Sequence, residues 1–124
     1  MNGAFAPVIT PFRRDYQPDG SRLLAHCQWL LSQGCGIAAF GTNSEVNSLS
    51  AAEKLDLIDQ LIAGGVPAPR MMPGTGQAAL TDTARFSGHD ERLGCGGVRL
   101  LPPFSHKDIT HEGIFSLITN MLVA

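Results

Sequence analysis

Short apolar runs alternate along the chain with longer stretches whose apolar residues recur every three or four positions. Ala4-Phe5-Ala6-Pro7-Val8-Ile9-Thr10 reads as a first strand, stopped by Pro11. Pro18-Asp19-Gly20-Ser21 is a turn that opens a helix, with Ser21 as the expected N-cap. Leu23, Leu24, Cys27, Leu30 and Leu31 then share one stripe, and Gly34 closes the helix. Gly36-Ile37-Ala38-Ala39-Phe40 is the second strand. Ser50-Ala51-Ala52-Glu53 has the form of a capping box, in which Ser and Glu satisfy each other's backbone donors. Leu55, Ile58 and Ile62 follow on one face, and Gly64-Gly65 ends that helix.

The second half of the chain is less regular. Arg70-Met71-Met72-Pro73 is a short third strand, and Gly97-Val98-Arg99-Leu100-Leu101 a fourth, stopped by Pro102-Pro103. The last helix begins near Thr110 and carries Ile114, Leu117, Ile118 and Met121 on one face. The segment from Leu80 to Leu93 makes a weak third helix, with Phe86 as its main large apolar residue. A mid-helix glycine such as Gly88 costs about 1 kcal/mol relative to alanine. Arg99 conflicts with its strand, because parallel strands are normally buried on both faces.

Regular β/α alternation implies a parallel sheet with right-handed crossovers. Four units fill the 124 residues, and eight such units would reach about 250 residues, the usual size of a closed (β/α)8 barrel. The expected fold class is therefore α/β, the first four units of such a barrel in a single partial domain over residues 1–124. Periodicity alone fits an open doubly wound sheet equally well.

Composition narrows the function classes. Hydrophobic residues are 44% of the chain and charged residues 16%, which favours a buried core over disorder. A net charge of −2 leaves no electrostatic footprint for nucleic acid or an anionic membrane. No apolar run approaches the roughly 18 residues of a membrane span, and Met1-Asn2-Gly3-Ala4-Phe5 lacks the pattern of a signal peptide, so a cytoplasmic location is expected. Cys27, Cys35 and Cys95 are odd in number and without CxxC spacing, and read as small apolar residues in or near the core. His106 and His111 stand five apart, a spacing that fits neither a shared helical face nor a zinc pattern. No metal or other cofactor is expected.

In parallel α/β folds chemistry sits where strands end and loops lead into helices. The loop Gly41-Thr42-Asn43-Ser44-Glu45 is the richest of the four. Its hydroxyls, amide and main-chain N–H groups suit a carboxylate or phosphate oxygen, though the same residues serve equally well as turn and cap. Gly74-Thr75-Gly76 lacks the downstream Lys-Ser/Thr of a P-loop and reads as a tight strand-to-helix turn.

These residues together resemble a known family. Gly41-Thr42-Asn43-Ser44-Glu45 is similar to the GTTGE signature of the dihydrodipicolinate synthase and N-acetylneuraminate lyase family. Thr10-Pro11-Phe12, Leu49-Ser50 with Glu53, Pro73-Gly74-Thr75-Gly76 and Leu101-Pro102-Pro103-Phe104 support it in order and spacing along nearly the whole chain. The resemblance implies a (β/α)8 barrel, usually tetrameric, and a pyruvate-dependent class I aldolase or lyase. A sixth-strand lysine forms a Schiff base with pyruvate, a fifth-strand tyrosine relays protons, and the GTTGE loop holds the pyruvate carboxylate.

Carried over by position, Thr42 and Asn43 are the expected carboxylate-binding residues, with Gly41, Ser44, Glu45 and Thr10 in support. Asn43 stands where the synthases have a proton-passing threonine, and an amide does not titrate; this points to another member of the family. Ser105, next to His106, stands where many synthases carry a tyrosine that reaches a neighbouring subunit. The Schiff-base lysine and relay tyrosine of the family fall beyond Ala124. Lys54 and Lys107 are the lysines of this chain, and both read as solvated.

Three readings follow: an aldolase-family chain inactive alone; a half-barrel completed by homodimerisation or a second chain; and a non-enzymatic doubly wound binding module. The third has neither an acidic cluster at its strand ends nor a GxGxxG loop to support it. Open edges at the first and fourth strands predict a homo-oligomer, with pyruvate or another 2-oxo acid as the small-molecule partner.

Overall fold

The computed structural model describes residues 3–101 and 108–122, and the helices form largely where the pattern places them. Strand β1 (Phe5–Pro7) pairs in parallel with β2 (Gly36–Ala38), in the register Phe5↔Gly36, Ala6↔Ile37 and Pro7↔Ala38. The sheet continues through single parallel bridges, Ile37↔Met71 and then Gly74↔Arg99. The order is thus first, second, third, fourth, as successive right-handed β/α units require. The third strand is shorter than expected. A 3-10 turn takes Ala68–Arg70, and only the bonds from Met72 N to Ile37 O (2.8 Å) and Gly74 N to Ala39 O (2.8 Å) tie the segment to β2.

Helix α1 (Gly20–Ser32) is capped by Asp19, whose carboxylate accepts from Arg22 N at 3.1 Å, and not by Ser21. The carboxylate of Asp19 reaches a free first-turn N–H, while Ser21 already lies inside the helix. Leu23, Cys27 and Leu30 are buried as the stripe predicts. Helix α2 (Ala51–Ala63) has the expected capping box: Ser50 Oγ accepts from Glu53 N, and Glu53 Oε2 accepts from Ser50 N at 2.8 Å. Its buried stripe is Lys54, Leu57, Ile58 and Leu61, with Leu55 and Ile62 half-buried at its margins.

Lys54 is therefore not solvated; the residue is 2% exposed. It takes a stripe position that a leucine would otherwise fill. Burial pushes its ammonium below the ordinary lysine range, and the Asp82 carboxylate opposes that shift.

Helix α3 (Leu80–Arg92) is fully formed despite its composition. Thr83, Phe86 and Asp90 are buried at i, i+3 and i+7, so two polar residues complete a stripe in which only one is apolar. Thr83 satisfies its hydroxyl locally, donating to Ala79 O at 3.1 Å and accepting from Gln77 N at 3.0 Å. Asp90 is 0% exposed, and neither carboxylate oxygen has a hydrogen-bond partner among the described residues. His89 stands between it and α2, with Nδ1 3.5 Å from Asp90 Oδ1 and Nε2 3.1 Å from Asp59 Oδ1. Burial pushes the Asp90 carboxyl up to about 6, against the pull of His89. Helix α4 (His111–Leu122) has Ile114, Leu117 and Ile118 half-buried and Phe115 exposed.

The core fills the layer between the sheet and α1–α3, with Val8, Ile37, Ala39, Phe40 and Met71 from the strands against Leu23, Cys27, Leu57, Ile58, Leu61 and Phe86 from the helices. The cysteines of this chain are free thiols, and burial raises those of Cys27 and Cys95 to about 12 and about 11. No helix among the described residues is long and apolar enough to cross a membrane. Pro102, Pro103, Phe104, Ser105, His106 and Lys107, on which the end of the fourth strand and one lysine reading rest, lie outside the described residues.

Candidate functional site

Past its ladder, the second strand runs through Ala39 and Phe40 into the loop that the sequence singles out. Phe40 is buried yet has φ +53°, and Glu45 has φ +55°. Two non-glycine residues in the left-handed region thus bracket Gly41–Ser44, at a cost of order 1 kcal/mol or more each. Backbone of this kind persists only where its surroundings fix it. Here the fixing comes from the first strand: the Ser44 hydroxyl, fully buried, donates to Val8 O, and Thr10 Oγ1 donates to Ser44 O at 2.8 Å. Thr10 and Ser44 therefore act beneath the loop as its anchors.

The residues above those anchors face solvent. Thr42–Ser44 form one 3-10 turn, in which Ser44 N donates to Gly41 O at 2.9 Å, and Val46–Ser48 form a second. Thr42 and Asn43 are exposed. Thr42 lines a cleft of about 70 Å³ with Phe40, Gly41, Val46, Gly74, Gly76, Arg99 and Leu101. A volume of that size takes a few waters or one small acid. Asn43 and Glu45 are exposed beside the cleft rather than on its wall.

Much of the wall is bare backbone. A side chain at Gly74 would place its first carbon 2.9 Å from Phe40 C, so the third segment approaches the second loop as closely as it does only because that carbon is absent. Gly41 is the corresponding position on the other side. A first side-chain carbon there would lie 3.1 Å from Arg99 Cζ.

Arg99 is the residue that sequence reasoning set aside as a misfit in its strand. Its backbone is part of the sheet, with Arg99 N donating to Pro73 O at 2.7 Å and Thr75 N donating to Arg99 O at 3.0 Å. Its side chain is half-buried and turns into the cleft, where Nη2 reaches Ala39 O at 3.4 Å and Nε is buried with no acceptor among the described residues. The ion pairs among the described residues join Arg13 and Arg22 to Asp19 and His89 to Asp59 and Asp90, so none involves Arg99. The cleft thus combines a cation, a hydroxyl and glycine-lined walls at the carboxyl end of a parallel sheet. A charge in an otherwise apolar strand, one residue pair before the strand's end, is the sequence signal that would have found it.

Comparison with known proteins places this arrangement. The model of the dihydrodipicolinate synthetase family matches residues 1–120. An uncharacterized DapA-like lyase from Chloroflexus aurantiacus is 33% identical over 116 residues, which cover 92% of this chain and 38% of that protein. Dihydrodipicolinate synthase from Agrobacterium tumefaciens superposes with a TM-score of 0.93 at 28% identity, covering 98% of this chain and 42% of that one. The chloride-inhibited dihydrodipicolinate synthase from Acinetobacter baumannii, solved with pyruvate, superposes at 0.84 with 25% identity over 98% of this chain and 42% of that one. The chain spans about two fifths of the length of these relatives. Its four successive parallel units are those of a partial (β/α)8 barrel, which removes the open doubly wound alternative. With the family model matched along almost its whole length, the chain belongs to the dihydrodipicolinate synthetase family.

Proposed function

We propose that this chain holds the carboxylate end of a small 2-oxo acid, pyruvate in the first instance, as its share of a class I aldolase or lyase. The observation that carries the reading is the cleft at the strand ends, where Thr42 stands on a loop bolted to the first strand by Thr10 and Ser44. Preorganised donors of this kind hold a carboxylate without having to be reorganised when it arrives. The similar enzyme from Acinetobacter baumannii, solved with pyruvate, supports the choice of ligand.

Covalent chemistry needs a lysine that reaches the substrate carbonyl. Lys54 is buried in the α2 stripe and does not line the cleft, and the remaining lysine, Lys107, lies outside the described residues. With Lys54 held away from the cleft and Lys107 read from the sequence as a solvated loop lysine, the chain by itself is proposed to bind but not to turn over. In this reading Asn43, Gly41 and Glu45 shape the loop around Thr42, and Ser44 and Thr10 keep it in place. Asn43 has no titratable proton to pass, so a proton relay through that position is not part of the proposal.

Incubation with pyruvate and borohydride, followed by intact mass, is run beside ligand-observed NMR titration of the same sample. Saturable pyruvate binding without a reduced adduct is the expected result. An adduct would move the chain from binder to catalyst and assign its lysine by peptide mapping. Absence of any binding by a folded sample would remove the 2-oxo-acid reading altogether.

A further inference from the structure

We propose that Arg99 is the charge partner of the ligand in this cleft, clamping a small carboxylate between its guanidinium and the Thr42 end of the Gly41–Glu45 loop. The inference rests on the 2-oxo-acid reading for the identity of the ligand, but the clamp itself rests on geometry. Arg99 comes from the fourth strand segment and Thr42 from the loop after the second, and Gly41 brings them together because it offers no side chain to separate them.

A guanidinium carries five donors and is never without its charge near neutral pH. Among the described residues, those of Arg99 are poorly used. The bond to Ala39 O is long at 3.4 Å, Nε is buried without an acceptor among the described residues, and none of the ion pairs there includes it. The acidic residues of the chain all fall within the described residues, so the carboxylate that Arg99 lacks is not supplied from residues 102–107 either. A half-buried guanidinium with no acidic partner among the described residues keeps its charge available for an anion in the cleft. A carboxylate entering the cleft would accept from two guanidinium nitrogens at once, the planar pairing that arginine makes best.

A purely structural role is the competing account, in which Arg99 serves only to cap the Ala39 carbonyl. The two accounts differ in their response to ligand charge. Affinities of the 124-residue chain for pyruvate, for neutral pyruvamide and for inorganic phosphate are measured by NMR titration in wild type, R99K and R99Q. The resonance of Arg99 Nε in the wild-type protein is followed in the same titrations.

If Arg99 is the clamp, R99Q weakens pyruvate binding by about 10- to 100-fold, as loss of a charge-assisted pair does. R99K keeps part of the affinity, pyruvamide binds weakly to all three proteins, and the Nε resonance shifts on saturation. Wild-type affinity for pyruvate retained in R99Q would sink the clamp while leaving the 2-oxo-acid reading intact. Arg99-dependent binding of phosphate with no binding of pyruvate would overturn the carboxylate clamp and the 2-oxo-acid reading together, leaving Arg99 as a partner for another anion. Should R99Q fail to fold, an Nε resonance that stays put at saturating pyruvate overturns the clamp on the wild-type protein alone.

Discussion

Asp90 shows how much a single buried carboxylate decides in this fold. Its neighbours are His89 on its own helix, Asp59 of α2 behind that imidazole, and the Cys95 thiol, whose backbone N donates to Asp90 O at 3.0 Å. Burial raises its carboxyl from 3.8 to about 6. The folded state therefore holds a proton that the unfolded state has released, and stability falls as pH rises between about 4 and 6. Below that window the contribution is fully present; above it the buried charge is a penalty. Asp90→Asn removes the titration. The variant is expected to melt higher than wild type at pH 7, by the equivalent of roughly 2–3 kcal/mol, with the gap closing towards pH 4. Thermal melts of both proteins at several pH values decide it, and parallel curves would show that Asp90 does not titrate as its burial demands. Nothing in the local pattern marks Asp90, because a carboxylate on a helix is ordinarily solvated. The same holds for Lys54, which reads as solvated and is buried, and for Arg99, which conflicts with its strand pattern because it faces a cleft. In each case burial is set by a partner element whose position no local pattern specifies.

At the scale of elements, helices were more legible than strands. The α2 capping box was visible as Ser50 and Glu53 and exists as two reciprocal bonds. Ser50→Ala is expected to cost about 1 kcal/mol, read as a lowered denaturation midpoint. The α3 stripe was hidden because Thr83 and Asp90 occupy positions that a pattern search reserves for apolar residues. Its glycine is a removable weakness. A first side-chain carbon at Gly88 would meet only Arg92 Nη1, at 3.6 Å, and its φ is not positive. Gly88→Ala should therefore stabilise the protein by up to about 1 kcal/mol, and a lowered midpoint would mean that α3 needs the glycine for packing. The strands were placed correctly but drawn too long. Ladder hydrogen bonds depend on the neighbour's backbone, and the third segment is diverted by the 3-10 turn at Ala68–Arg70.

For the whole molecule, the recurring β/α period and the spaced loop motifs carry both the fold and the family, and the exposed face of the sheet decides how the chain behaves in solution. From Ala6 to Thr10 the first strand and its continuation alternate. Ala6, Val8 and Thr10 are half-buried or buried towards the helices, while Pro7 and Ile9 are exposed on the other side. Ile9 is 61% exposed, and Leu101, on the cleft side of the fourth segment, is also exposed. An apolar inner face and two strand edges without partners among the described residues favour association of copies, because pairing removes both from water. We expect the 124-residue chain to sediment as a concentration-dependent oligomer. Ile9→Lys places a charge on that face at a position too exposed to matter much for folding, so it should shift the population towards monomer with its melting temperature nearly unchanged. If wild type sediments as a single monomer and melts cooperatively, the exposed face is tolerated in water, and the homo-oligomer expected from the open edges falls. If Ile9→Lys leaves the oligomer intact, association runs instead through another surface, with Trp29 and Phe115, both exposed on helices α1 and α4, as the next positions to charge.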